Sequence, residues 1–210
     1  MTLTIIPFVL GPIENNSFLL VEEESRTACV IDPSFDSGKI VNYCREKQIM
    51  ITHILCTHAH FDHIAGVDEI AASLTQPPMI TLHSLDFALW KNNGAARTFG
   101  IPFEIKTTPN QFVEQGQFIQ FGKTQLEVRF TPGHTKGHVV YTLQDLNVVF
   151  SGDLIFRQSV GRTDLEGGNQ LLLIRSIKDQ VFSLPANTRL LSGHGPETTV
   201  GFEQKYNPFI

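Results

Sequence analysis

Thr57-His58-Ala59-His60-Phe61-Asp62-His63 crowds three histidines and an aspartate, all potential metal ligands, into one short stretch. The largely apolar run Ile51 to Cys56 ahead of it reads as a buried strand. Behind it, Ile64, Val67, Ile70, Ala71 and Leu74 recur at helical spacing until Pro77 and Pro78 stop the pattern. The ligands therefore sit where a strand breaks into a helix. His58 and His60, two apart, can point to the same side of an extended turn, while Asp62 and His63 open the next turn and face a neighbouring point. One metal could not easily use all four, but two adjacent sites could. Imidazole and carboxylate without thiolate suit Zn, Fe or Mn.

Working outward, three further candidates occur in one context. Thr131-Pro132-Gly133-His134, Ser151-Gly152-Asp153 and Ser192-Gly193-His194 each follow an apolar strand and place Gly immediately before the ligand. Glycine lets the backbone turn sharply and approach a metal closely.

The first third of the chain reads as strands near Leu3 to Val9, Ser17 to Val21 and Ala28 to Ile31, then a helix from about Lys39 to Lys47 with Ser37 as its cap. Met79 to Leu82 is a strand, followed by a short helix from Ser84 to Lys91. Asn92 to Gln115 shows neither period and is expected to be a long surface loop. Strands follow at Gln117 to Phe121, Gln125 to Phe130, Val139 to Leu143 and Val148 to Ser151. A helix near Asn169 to Val181, a strand Arg189 to Ser192 and a short helix from Gly201 close the chain. Strands followed by helices in each half predict an α/β fold of two mixed sheets with outer helices rather than a doubly wound parallel sheet.

The 210 residues, 41% hydrophobic and 18% charged, fit one globular domain. Lys and Arg number 16 against 21 Asp and Glu, a formal charge of -5, which lacks the basic surface that nucleic acid requires. No apolar stretch approaches the roughly 20 residues needed to cross a bilayer, so no membrane partner is expected. The N-terminal run Ile5 to Leu10 lacks the flanks of a signal peptide. Cys29, Cys44 and Cys56 form no CxxC pair and are expected to be reduced and buried. The expected location is cytoplasmic.

The motif and the three strand ends together resemble the metallo-β-lactamase superfamily, whose pattern is HxHxDH followed by a His, an Asp and a final His. The resemblance spans nearly the whole chain and implies a four-layer αβ/βα sandwich over residues 1–210 with the metals at one edge. It implies that His58, His60 and His134 hold one metal, that Asp62, His63 and His194 hold a second, and that Asp153 bridges both. The two divalent metals are expected to be Zn, with Fe or Mn as alternatives.

Within the superfamily, a carboxylate at the bridging position, where true β-lactamases usually have Cys, looks like the glyoxalase II branch. So do Ser151-Gly152-Asp153-Leu154-Ile155-Phe156, Gly161-Arg162-Thr163-Asp164, Gly167-Gly168, the stretch Gly193 to Thr199, and Asn207-Pro208-Phe209. The resemblance is to short, single-domain members, with no helical glutathione-binding domain expected after His194. It implies a metal-dependent hydrolase that cleaves small thioesters such as S-lactoylglutathione with a metal-bridging hydroxide, which Asp62 helps orient. Arg162 is expected to contact substrate, and Asp164 stands where two-domain enzymes often place Tyr. The competing family is the persulfide dioxygenases, which share the GRTD wording and the fold but use one iron. They typically follow the final His with Asp-Tyr, whereas Gly195-Pro196 follows His194 here.

Other residues receive structural expectations. His53 is a satisfied structural residue and His83 a surface one, while His138 is either structural or orients a ligand from behind. Cys56 belongs to the core. Asp32, at a strand end, is expected to bond the HxHxDH loop. Phe99, Phe103 and Phe112 are expected to serve loop packing.

Overall fold

The computed structural model describes residues 3–210. In β2 (Asn15–Glu22), successive side chains alternate between two buried faces, Phe18 and Leu20 on one and Leu19 and Val21 on the other. A strand apolar on both sides must lie inside a layered fold. It pairs antiparallel with β1 (Leu3–Leu10) and β3 (Thr27–Ile31), and β4 (Met50–Leu55), β5 (Met79–His83) and β6 (Gln111–Val113) continue the sheet in parallel.

The second sheet contains β7 (Phe118–Phe121), β8 (Thr124–Phe130), β9 (Val139–Leu143) and β10 (Val148–Gly152). After the small hairpin of β11 (Ile155–Phe156) and β12 (Ser159–Val160), it is completed by β13 (Arg189–Ser192) and β14 (Thr198–Thr199). Its order is β14-β13-β10-β9-β8-β7, with β10 and β13 parallel and the other neighbours antiparallel.

Three apolar clusters glue the layers. Phe18, Leu20, Ile31 and Leu55 meet Leu126, Val128, Tyr141 and Phe150 between the sheets. The other face of the first sheet packs on α1 (Gly38–Glu46), on α3 (Val67–Ser73), which follows the single turn α2 (Phe61–Ile64), and on Trp90 of α4 (Phe87–Lys91). Val140, Val149 and Leu190 of the second sheet pack on α5 (Gln170–Ser176), the π-helical turn Ile177–Val181 and Val200 of α6 (Val200–Tyr206). This is the expected four-layer αβ/βα sandwich. Among the described residues, no helix is long and apolar enough to cross a membrane.

Topology gathers the ligand positions. β8 and β10 are both antiparallel to β9, and β13 is parallel to β10, so β8, β10 and β13 all end at the same edge. The end of β4 joins them there, where Val139 N–H donates to the Thr57 carbonyl at 2.8 Å.

Several expectations need correction. The helix after His63 is broken at Ala65-Gly66 into α2 and α3. Ser37 precedes α1, but its Oγ donates to the Ser34 carbonyl rather than capping the helix. Asn92 to Gln115 is not simply a surface loop. It holds a 3-10 segment, Asn93–Phe99, and the edge strand β6, with Ala96 and Val113 fully buried. Gly94 and Ala95 there have φ near +60°, which interrupts any helical period, and β6 is too short to display alternation.

Candidate metal centre

The site begins with Asp32, left by β3 in a left-handed conformation (φ +50°). Its Oδ1 accepts from Thr57 N–H and its Oδ2 from Thr57 Oγ1, both at 2.7 Å, and His63 Nδ1 lies 3.0 Å from Oδ2. It thus pins both ends of the motif, as expected of it. Asp86, in the 3-10 turn after β5, braces the middle. It accepts from Ala59 N–H at 3.1 Å, Thr135 Oγ1 at 2.7 Å and Gly137 N–H at 2.6 Å, joining the motif to the loop that carries His134. Burial pushes the Asp86 carboxyl up, against these hydrogen bonds.

His58, His60 and His134 bring one ring nitrogen each to within 4.8 Å of the others. The hydrogen bonds fix which nitrogens are bare. Thr57 Oγ1 gives its single hydrogen to Asp32, so it accepts from His58 Nδ1 at 3.0 Å, leaving His58 Nε2 buried and without a partner. His134 Nδ1 donates to the Arg162 carbonyl at 2.8 Å, which bares Nε2. That atom faces His60 Nδ1 at 2.8 Å, a contact held by one proton or by a cation in its place. Burial, then neighbouring imidazoles, pushes His60 down to about 3 and His58 well below its usual range. Neutral imidazoles with converging lone pairs fit a divalent metal.

Asp62, His63 and His194 form a second group, with His194 Nε2 at 3.1 Å and His63 Nε2 at 3.3 Å from Asp62 Oδ2. Burial opposes charge on His63, yet Asp153, Asp62 and Asp32 outweigh it and raise its pKa well above the usual value. Burial likewise opposes the charge of Asp153, but His63 and the other imidazoles hold its carboxyl far below the normal range. These carboxylates demand positive charge, which bound metal supplies as well as protons do.

Asp153 stands between the groups, its Oδ1 3.2 Å from His63 Nε2 and its Oδ2 3.6 Å from His134 Nε2 and 3.8 Å from His194 Nε2. Glycine is needed beside it. A Cβ on Gly193 would collide with Asp153 Oδ1 and the His63 ring, and Gly133 (φ +140°) lies against the Leu173 backbone. A third close grouping, Asp32 with His58 and His63, is less apt, because the Asp32 oxygens are already taken by Thr57 and His63.

The structure thus brings all seven expected ligands to one edge. Arg162 lies on the wall of a cavity that His60, Asp62, His134, Asp153 and His194 also line, with its exposed guanidinium bound to Asp164. Cys56 is buried with its thiol pushed up by burial. His138 is fully buried behind the first group, its ring 5.2 Å from His58, its Nδ1 2.9 Å from Thr131 Oγ1 and its Nε2 unpaired. His53 is only half satisfied, with Nδ1 near Thr52 Oγ1 and Nε2 unpaired. His83 is not a free surface residue. It ends β5, stacks on Phe130 at 4.5 Å and accepts from Leu85 N–H. Phe103 packs on Phe35, Phe112 on Phe87 and Phe99 on Phe61, as expected, and Phe99 also lines the cavity.

Sequence reasoning missed Asp86 and also Asn15, whose Nδ2 lies 3.0 Å from His63 Nε2 and 3.5 Å from Asp62 Oδ2. The turn after a strand was the available signal for Asp86. Asn15, opening β2, had none.

This fold and ligand arrangement define a class: the chain belongs to the metallo-beta-lactamase superfamily, whose profile matches residues 10–194. Members bind divalent metals, and the superfamily is one of metallo-hydrolases. Among relatives, the chain is 39% identical to the "Probable metallo-hydrolase YqgX" of Bacillus subtilis, over 96% of this chain and 94% of that one. It is 28% identical to the "Hydroxyacylglutathione hydrolase GloC" of Haemophilus influenzae, over 100% and 98%. Among solved structures it resembles the B3 metallo-beta-lactamase BLEG-1 (TM-score 0.89, 37% identity, 98% and 99% coverage). It is similar also to TTHA1623 in a di-iron-bound form (TM-score 0.88, 37% identity, 98% and 100% coverage).

Proposed function

We propose that this chain hydrolyses small thioesters, S-lactoylglutathione among them, with two divalent metals. The observation that carries this reading is the Asp153 carboxylate, which faces His63 with one oxygen and His134 and His194 with the other. His58, His60 and His134 would hold one metal, Asp62, His63 and His194 the other, and Asp153 would touch both. The metals, Zn or else Fe or Mn, supply a water of lowered pKa and Lewis acidity toward a carbonyl oxygen. The chain's own groups do the rest. Asp32, Asp86 and Asn15 fix the ligand loops, Asp62 orients the attacking water from the cavity floor, and the cavity positions the acyl group. A thiol of pKa near roughly 8.5 leaves without a strong acid. The Haemophilus relative's name supports thioester chemistry, and the di-iron form of TTHA1623 supports two metals.

Metal content of the purified protein, measured together with S-lactoylglutathione loss at its ultraviolet band and oxygen uptake with glutathione persulfide, tests this reading. Two metals and thioester loss are expected. Oxygen uptake without thioester cleavage would establish the single-iron persulfide dioxygenase instead, and cleavage of a β-lactam alone would move the chain to that chemistry.

Proton competition should order the release of the metals. His63 has a raised pKa without metal, so a metal held there displaces a proton, and that proton competes for the site again as pH falls. His58 and His60 are depressed, His60 to about 3, so protons compete there only at lower pH than at His63. Titration from pH 8 to 5 with a chromogenic chelator is expected to show one equivalent leaving before the other. Simultaneous release would contradict the assignment.

Arg162 is the cation of the cavity wall. Arg162→Ala is expected to raise KM for a glutathione thioester about threefold with little change in kcat, because it leaves the Asp164 carboxylate unpaired to repel the carrier's own carboxylates. An unchanged KM would remove Arg162 from the substrate site.

A further inference from the structure

A cavity of about 640 Å³ opens over His60, Asp62, His134, Asp153 and His194, and its walls are largely apolar. Phe61, between the ligands His60 and Asp62, holds its ring 5.4 Å from that of Phe99. The Phe156 ring, also on the lining, stands 6.2 Å from His194. Ile13, Ile101 and Val160 continue the lining. Phe99 is 42% exposed and Ile13 44%, apolar surface that a ligand would remove from water.

Charge is scarce on the same walls. Among the described residues that line the cavity, Arg162 is the one cation. Its Nε and Nη2 donate to Asp164 Oδ1 and Oδ2 at 2.7 Å each, and its guanidinium carbon lies 5.7 Å over the Phe99 ring. The bidentate pair is neutral as a unit and occupies one edge of the fork. A carrier with two carboxylates, as in glutathione, meets no unpaired side-chain cation here.

We infer that the substrate of this site is a thioester with an apolar acyl group, selected through that group against Phe99, Phe61 and Phe156 rather than through charges on its thiol carrier. The inference rests on the hydrolytic reading above. Water adds to the acyl carbon, the C–S bond breaks, and a carboxylic acid and a thiol are released, with no change of oxidation state.

The test uses metal-replete protein and thioesters of the neutral carrier N-acetylcysteamine. From acetyl through butyryl to hexanoyl, kcat/KM is expected to rise about threefold per methylene. Phe99→Ala should flatten that slope without altering metal content. Asp164→Asn should lower KM for S-lactoylglutathione severalfold by unmasking Arg162, and leave the neutral series unchanged. A flat or falling series with measurable turnover would overturn the acyl preference alone, as would a tenfold preference for glutathione over N-acetylcysteamine carrying one acyl group. Should no thioester be cleaved, the hydrolytic reading falls. Calorimetry with the uncleavable S-hexyl and S-ethyl thioethers of N-acetylcysteamine still decides the rest. Binding of S-hexyl at least tenfold tighter supports the apolar site, and equal binding removes it.

Discussion

Asp153→Ala is expected to lower thioester turnover by at least about 10³-fold and to reduce metal content from two per chain to one or fewer. Asp153 is the carboxylate whose two oxygens face both ligand groups. Its charge is buried beside His63, His134 and His194, and those imidazoles hold its proton off despite burial. Without the carboxylate each of two bound metals would lose a ligand, and the repulsion between two dications would lose the anion that offsets it. Asp153→Asn preserves volume and separates charge from shape. It should retain the fold by circular dichroism, yet lose metal and activity nearly as far as Ala. Full metal content with normal turnover in Asp153→Ala would show that the bridging assignment is wrong.

What the sequence made legible follows from how each feature is encoded. The seven candidate ligands could be picked out because metal binding demands His and Asp, and because their loops leave strand ends with Gly beside the candidate, as at Gly133 and Gly193. The layered fold could be found because β2 to β4, β9 and β10 are apolar on both faces while β8 alternates apolar and polar residues. Asn15 and Asp86 escaped because each is a single polar residue whose partners lie in other segments, and no local period marks a tertiary hydrogen bond. Residues 92–115 escaped for a related reason. Gly94 packs against the backbone of Phe61, so tertiary contact rather than hydrophobic spacing sets their course. Phe99 packs on Phe61 as expected of it, and its second place, on the cavity wall, depends on how that segment folds back over α2.

Asp86→Ala is expected to destabilise the protein by about 3 kcal/mol, lowering Tm by roughly 6–12 °C, and to weaken metal binding by about ten- to a hundredfold. The carboxylate is 1% exposed and satisfies Ala59 N–H, Thr135 Oγ1 and Gly137 N–H. Alanine would leave both backbone donors buried without acceptors, since Thr135 alone can rotate its hydrogen elsewhere. Part of that loss is offset, because burial already makes the Asp86 charge unfavourable and raises its pKa. Three well-made hydrogen bonds to one group therefore contribute less than three separate bonds would. Asp86→Asn should cost less, because its amide oxygen still serves one of the donors. The loops it joins leave different sheets: Ala59 follows β4 of the first, and Thr135 and Gly137 follow β8 of the second. The bond network that closes the sandwich at this edge also sets the approach of His60 to His134. Stability and metal affinity should fall together across Ala and Asn, and a variant that loses Tm while keeping full metal affinity would confine Asp86 to the fold.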